Sequence, residues 1–174
     1  MHKTILGAAA AIACSVAAVA LAATSGPTDP QIAHIAYTAG ELDVTAAKLA
    51  LARSKNPAVR EFAQTMVRDH QAVNVKALAL VKKLGVTPEA NPVSASLSEQ
   101  ASASMNRLKT LKGVAFDRAY AAHEAGYHKT VNSALSDTLI PSADNGELKS
   151  LLEAGLALFS EHQRHAEHLA ADLK

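Results

Sequence analysis

Apolar side chains recur every three or four residues along four long stretches of this sequence, and that period leaves little choice of fold. Ile32, Ile35, Ala39, Leu42, Ala46 and Leu49 make the first stripe, and Val59, Phe62, Met66, Val73, Ala77, Leu80 and Leu84 the second. Phe116, Tyr120, Tyr127, Val131 and Leu135 make the third, and Leu148, Leu151, Leu152, Phe159, Ala166 and Leu169 the fourth. This is the spacing of helices that bury one face. No segment alternates with the period of two that a half-buried strand requires.

The punctuation agrees. Asp29-Pro30 and Asn56-Pro57 each place a proline in a first helical turn, and Asn56 is a capping residue. Lys82, Lys83 and Gly85 close the second helix, because basic residues and a glycine suit a helix C-terminus. Residues 86–96, with Pro88, Pro92 and two serines, read as a connection, and 98–111 as a short helix. Gly113 interrupts, the third long helix runs to about residue 139, and Ile140-Pro141 stops it. Residues 142–146 read as a turn before a last helix over 147–173. The expected architecture is all-α: a four-helix bundle over residues 30–174, with one additional short helix in its long connection.

The N-terminus is different in kind. Lys3 precedes an apolar run over residues 5–23, and Ala20-Leu21-Ala22 has the small-x-small form of a cleavage site. Residues 1–23 read as a signal peptide and 24–29 as a flexible lead-in. The expected location is therefore outside the cytoplasm, in the periplasm, with no membrane span left after cleavage. The sole cysteine, Cys14, falls inside the signal, which excludes disulfides and thiolate chemistry from the mature chain. With 17 Lys and Arg against 16 Asp and Glu, no basic excess exists to neutralise phosphates, so nucleic acid is set aside as a partner. An envelope protein partner and a homo-oligomer both remain open.

Histidine is where chemistry is to be sought. His70 lies four residues after Met66 and three before Val73, on the buried stripe; His162 follows Phe159 by three, and His165 lies one turn further on. Glu124 and His128, four apart, neighbour each other on one helix. Imidazoles and carboxylates on the inner faces of a bundle are donors for Fe, Zn, Mn or Cu. The candidate metal ligands are His70, Glu124, His128, His162 and His165. The same residues also suit a polar layer that only fixes helix register. The Glu-x-x-His spacing of di-iron carboxylate bundles is missing: Glu124 leads to Tyr127, Glu161 to Arg164 and Glu61 to Gln64. No Gly-x-Ser-x-Gly elbow and no phosphate loop occurs either, so an acid–base enzyme built on Glu124 and His128 ranks last.

Several of these residues fall in longer motifs. Met66-Val67-Arg68-Asp69-His70, the segment Gly113 to Tyr120 with Phe116-Asp117 at its centre, Glu124-x-x-x-His128 and His162-x-x-His165-Ala166 together resemble the bacterial domain-of-unknown-function family 4142. The resemblance covers residues 29–172. It implies a ferritin-like bundle behind a signal peptide and leaves the activity undefined. In the first helix, Thr38-Ala39-Gly40-Glu41-Leu42-Asp43 departs from relatives that carry an Asn before the acid. Glu41 and Asp43 are accordingly not carried over as ligands.

Overall fold

The computed structural model of the chain describes residues 26–173. The segment read as a signal peptide lies outside them. Six helices follow in order: α1 Asp29–Arg53, α2 Pro57–Leu84, α3 Pro92–Thr110, α4 Gly113–Ala134, the single turn α5 Ile140–Ser142, and α6 Gly146–Asp172. A π-helical turn, Leu135–Leu139, joins α4 to α5. The fold is an all-α bundle without strands among the described residues.

Local chemistry sets the boundaries. The Asn56 side chain accepts from the amides of Ala58 and Val59 at the head of α2, and Asn145 does the same for Glu147 and Leu148 at the head of α6. Gly85 ends α2 with φ +65°, in the left-handed region that glycine enters at no steric cost.

Two expected boundaries move. α3 begins at Pro92 rather than near residue 98, because Asn91-Pro92 repeats the cap of Asn56-Pro57, and Ser94 closes a capping box with Asn91. Pro141 does not stop the third long helix either. Its missing N–H and its ring would break a straight α-helix, but the chain has already widened: the Ile140 amide donates to the carbonyl of Leu135, five residues back. The helix passes through and ends at Ser142.

α1 and α2, joined by three residues, pack as an antiparallel pair, and α4 pairs with α6. The pairs meet through α2 against α6 and α1 against α4, while α3 lies along α1 and touches α4. Long-range bonds hold this arrangement. Tyr127 Oη donates to the carbonyl of Ala39 at 2.8 Å, and Asp29 accepts from the amides of Asp144 and Asn145. No described helix is long and apolar enough to cross a membrane.

The apolar interior forms two clusters. One contains Phe62, Met66, Phe116, Tyr120, Ala166 and Leu169; the other contains Ile32, Ile35, Leu135, Leu148, Leu152 and Phe159. Along each of the four long helices, a buried polar residue separates the two: Asp43 on α1, His70 on α2, Glu124 and His128 on α4, and His162 on α6.

Candidate metal centre

Helical spacing delivers these side chains to one level of the bundle. On α2, His70 follows Met66 by one turn; on α6, His162 lies between Phe159 and Ala166; on α4, Glu124 and His128 continue the buried line of Tyr120. Asp43 stands on the same face of α1 as Ala39, Ala46 and Ala50. All are buried, and Asp43, Glu124 and His128 are at most 1% exposed.

The three imidazoles form a triangle, with ring centroids 5.4 to 5.6 Å apart. One nitrogen from each of His70, His128 and His162 can be chosen so that all lie within 4.8 Å of one another. His128 also belongs to a second set with Asp43 and Glu124. Asp43 Oδ2 lies 3.5 Å from His70 Nε2 and 3.5 Å from His128 Nε2. A tetrahedral ion with donors at ~2.0–2.1 Å separates neighbouring donors by roughly 3.4 Å, close to the 3.5 Å spacing of these atoms.

Hydrogen bonds on the outer side of the cluster select the tautomers. His128 Nδ1–H donates to the Glu124 carbonyl at 3.0 Å, leaving the lone pair on Nε2. His162 Nε2–H donates to Asp69 Oδ2 at 3.0 Å, leaving the lone pair on buried Nδ1. An imidazole anchored through one nitrogen to a carbonyl or carboxylate, with the other directed inward, is the usual support of a metal-bound histidine. The His70 ring stacks on Phe159, with centroids 4.6 Å apart and planes 8° from parallel, which fixes its orientation without using either nitrogen.

The inward atoms are otherwise unsatisfied. Both nitrogens of His70, His128 Nε2 and His162 Nδ1 have no hydrogen-bond partner among the protein's described groups, while Asp43 and Glu124 face each other as a buried carboxyl pair. Buried polar groups are rarely left so, since each costs about 1–3 kcal/mol. A cation accepting lone pairs from several of them would remove that cost together.

Burial governs the protonation of the cluster. Desolvation, reinforced by the neighbouring imidazoles, pushes His70 down to about 3. Desolvation also takes His128 down to about 4, against the opposing bond to the Glu124 carbonyl, and it lowers His162. The three rings are therefore neutral at pH 7, the form that binds metal. Desolvation pushes Asp43 up to about 7, and desolvation and the adjacent Asp43 raise Glu124 well above the usual carboxylate range. For Asp69 the largest single influence is again desolvation, which acts upward, but Arg68 and His162 together outweigh it and hold the carboxyl low.

Four of the five candidate ligands from the sequence, His70, Glu124, His128 and His162, come together here. His165 does not: it is exposed, and its ring sits edge-on to Phe62 with centroids 5.0 Å apart. Asp43, which the sequence reading had set aside, stands at the centre of the cluster. Glu41 is elsewhere, accepting from Asn74 Nδ2 at 2.7 Å. Asp69 is the residue that sequence reasoning missed outright. Its signal was its place before His70 in the Met66-Val67-Arg68-Asp69-His70 motif, on a part-exposed flank of α2.

One family model, described as Domain of unknown function (DUF4142), matches residues 14–169. No curated protein and no protein of solved structure matches the chain.

Proposed function

The chain belongs to this DUF4142 family, and from that premise we propose that it is an exported, envelope-located helical bundle that binds one transition-metal ion in its core. His70, His128, His162 and Asp43 are the ligands, and Glu124 is the carboxyl partner of Asp43. The observation that carries this reading is the pairing of buried, unsatisfied inward donors with outward hydrogen bonds on His128 and His162. A layer that served only to fix helix register would turn its polar atoms toward one another and satisfy them. A donor set rich in imidazole favours Zn, Fe or Cu over Mg or Ca. The basic start and apolar run of residues 3–23 support export.

The test is metal content by mass spectrometry on untagged mature protein purified without chelator, followed by titration with Zn, Fe, Mn and Cu. One tight equivalent is expected, lost in His70→Ala and His128→Ala variants that keep the helical circular dichroism of the parent. Folded wild-type protein that takes up none of the four metals would reduce the cluster to a register-fixing layer.

A further inference from the structure

The two halves of the bundle are filled very differently. On one side of the polar layer, Phe62, Met66, Phe116 and Tyr120 close the interior. On the other side there is a cavity of about 320 Å³. At its walls each of the four long helices contributes a small residue: Ala36 from α1, Ala77 from α2, Ala134 from α4 and Gly155 from α6. Protein interiors are close-packed, with few voids larger than a water molecule. A space of this size, bounded by small residues on every helix, is a feature of the sequence and not a packing fault.

The chemistry of the walls is nearly uniform. Val73, Val131, Leu152 and Phe159 supply apolar surface. Polar side chains collect on α2 and α4, where His70, His128, Asn74 and Tyr127 reach the cavity. Tyr127 is already committed, donating to the Ala39 carbonyl. The π-helical turn contributes Leu135, Thr138 and Leu139, and such turns are frequent at functional sites. Val93 of α3 also lines the space and is 51% exposed, so the wall reaches solvent there.

We propose that this cavity is a binding site for a small aliphatic amphiphile, a medium-chain fatty alcohol or acid, with its chain among the apolar walls and its single polar group at His70, which lines the cavity and has a nitrogen to spare. A dry apolar cavity of ~150 Å³ holds benzene, so about twice that volume suits roughly a dozen heavy atoms. Away from that polar end water is a poor occupant, because it needs two to four polar partners that the apolar walls lack. The site stands without the metal ion: the chain's apolar surroundings exist whether or not the histidines hold a cation.

The test uses metal-free full-length mature protein and 1-decanol as the probe, followed by isothermal calorimetry and by heteronuclear NMR of the backbone amides. Saturable one-to-one binding is expected, with shifts concentrated at residues 73–77, 131–139 and 152–155. Ala77→Leu combined with Ala134→Leu fills the space; it should weaken decanol at least tenfold while the helical circular dichroism is kept. Ala36→Leu alone serves if the double variant does not fold. Absence of saturable binding to the wild type, or unchanged affinity in a folded cavity-filled variant, overturns the proposal. Saturable decanol binding by wild-type protein that takes up none of the four metals sustains this site while the metal centre falls.

Discussion

Asp69 accepts a hydrogen bond from His162 Nε2 at 3.0 Å, and that bond commits the opposite nitrogen of the ring to the interior. The pair spans α2 and α6, so a carboxylate 19% exposed on one helix orients a buried donor on another. If the donor is a metal ligand, removing its support loosens the ring without deleting it. Asp69→Ala should weaken metal affinity about 10- to 100-fold. The fold should change little, because the other partner of Asp69 is the exposed Arg68, and surface pairs contribute little. Competitive titration against a chromophoric chelator reads the affinity; an unchanged value would remove His162 from the ligand set.

Metal uptake should release one proton, not three. His70 and His128, lowered to about 3 and 4, are already neutral throughout the range from pH 5 to 7, and His162 is lowered as well. The proton to be displaced sits on the Asp43–Glu124 pair, with Asp43 raised to about 7. Affinity should fall about tenfold per pH unit below pH 7 and level off above it. Three exposed histidines would give a far steeper loss below pH 6.5. Calorimetry in buffers of different ionisation enthalpy counts the protons directly.

The metal-free protein should be acid-labile. A histidine whose folded pKa is depressed contributes stability that is full above the unfolded value of 6.5 and is lost as pH falls toward the folded value. His70, His123, His128 and His162 all act in this direction. Asp43 and Glu124 are raised, so their contribution is full below the usual carboxylate range and is lost as pH rises through the folded pKa. His70 and His128 are offset one for one by the two carboxyls, so the lowered His123 and His162 decide the sign, and stability should drop on acidification just below pH 6.5, by roughly 1.4 kcal/mol per pH unit for each net proton. Urea midpoints measured across that window test the sign. Stability that rises on acidification would mean that His123 and His162 are not held neutral by burial.

Gly40 should be intolerant of a methyl group. A Cβ there would come within 2.3 Å of Asn74 Oδ1, and Asn74 is buried and bonded to Glu41. Gly40→Ala would therefore have to displace a side chain that ties α2 to α1. A loss of about 1–3 kcal/mol is expected from chemical denaturation, although alanine is the better helix former by ~1 kcal/mol.

The helices were legible because the stripes on α2, α4 and α6 carry large side chains. Phe62, Met66 and His70, or Phe159, His162, Ala166 and Leu169, define a phase with little ambiguity. α1 was harder. Its buried line is largely alanine, so Leu42 and Leu49 drew the expected stripe through positions that are only half-buried. Asp43 lies one residue away, on the true line through Ala39, Ala46 and Ala50. An alanine-rich helix gives its phase only weakly, and a buried acid on it looks like a surface residue. His165 fails for the complementary reason: three residues after His162 it still shares a face, but the line continues through Ala166 instead. The cavity was not legible at all, because small residues on a core stripe read the same whether a partner fills the gap or not.

Anomalous diffraction would locate a single ion among Asp43, His70, His128 and His162. Crystals of the zinc-loaded protein, measured on either side of the zinc absorption edge, should show one strong peak about 2.0–2.2 Å from Asp43 Oδ2, His70 Nε2, His128 Nε2 and His162 Nδ1. A map with zinc only at surface histidines such as His165, and no peak within the polar layer, would mean that the buried cluster holds no metal.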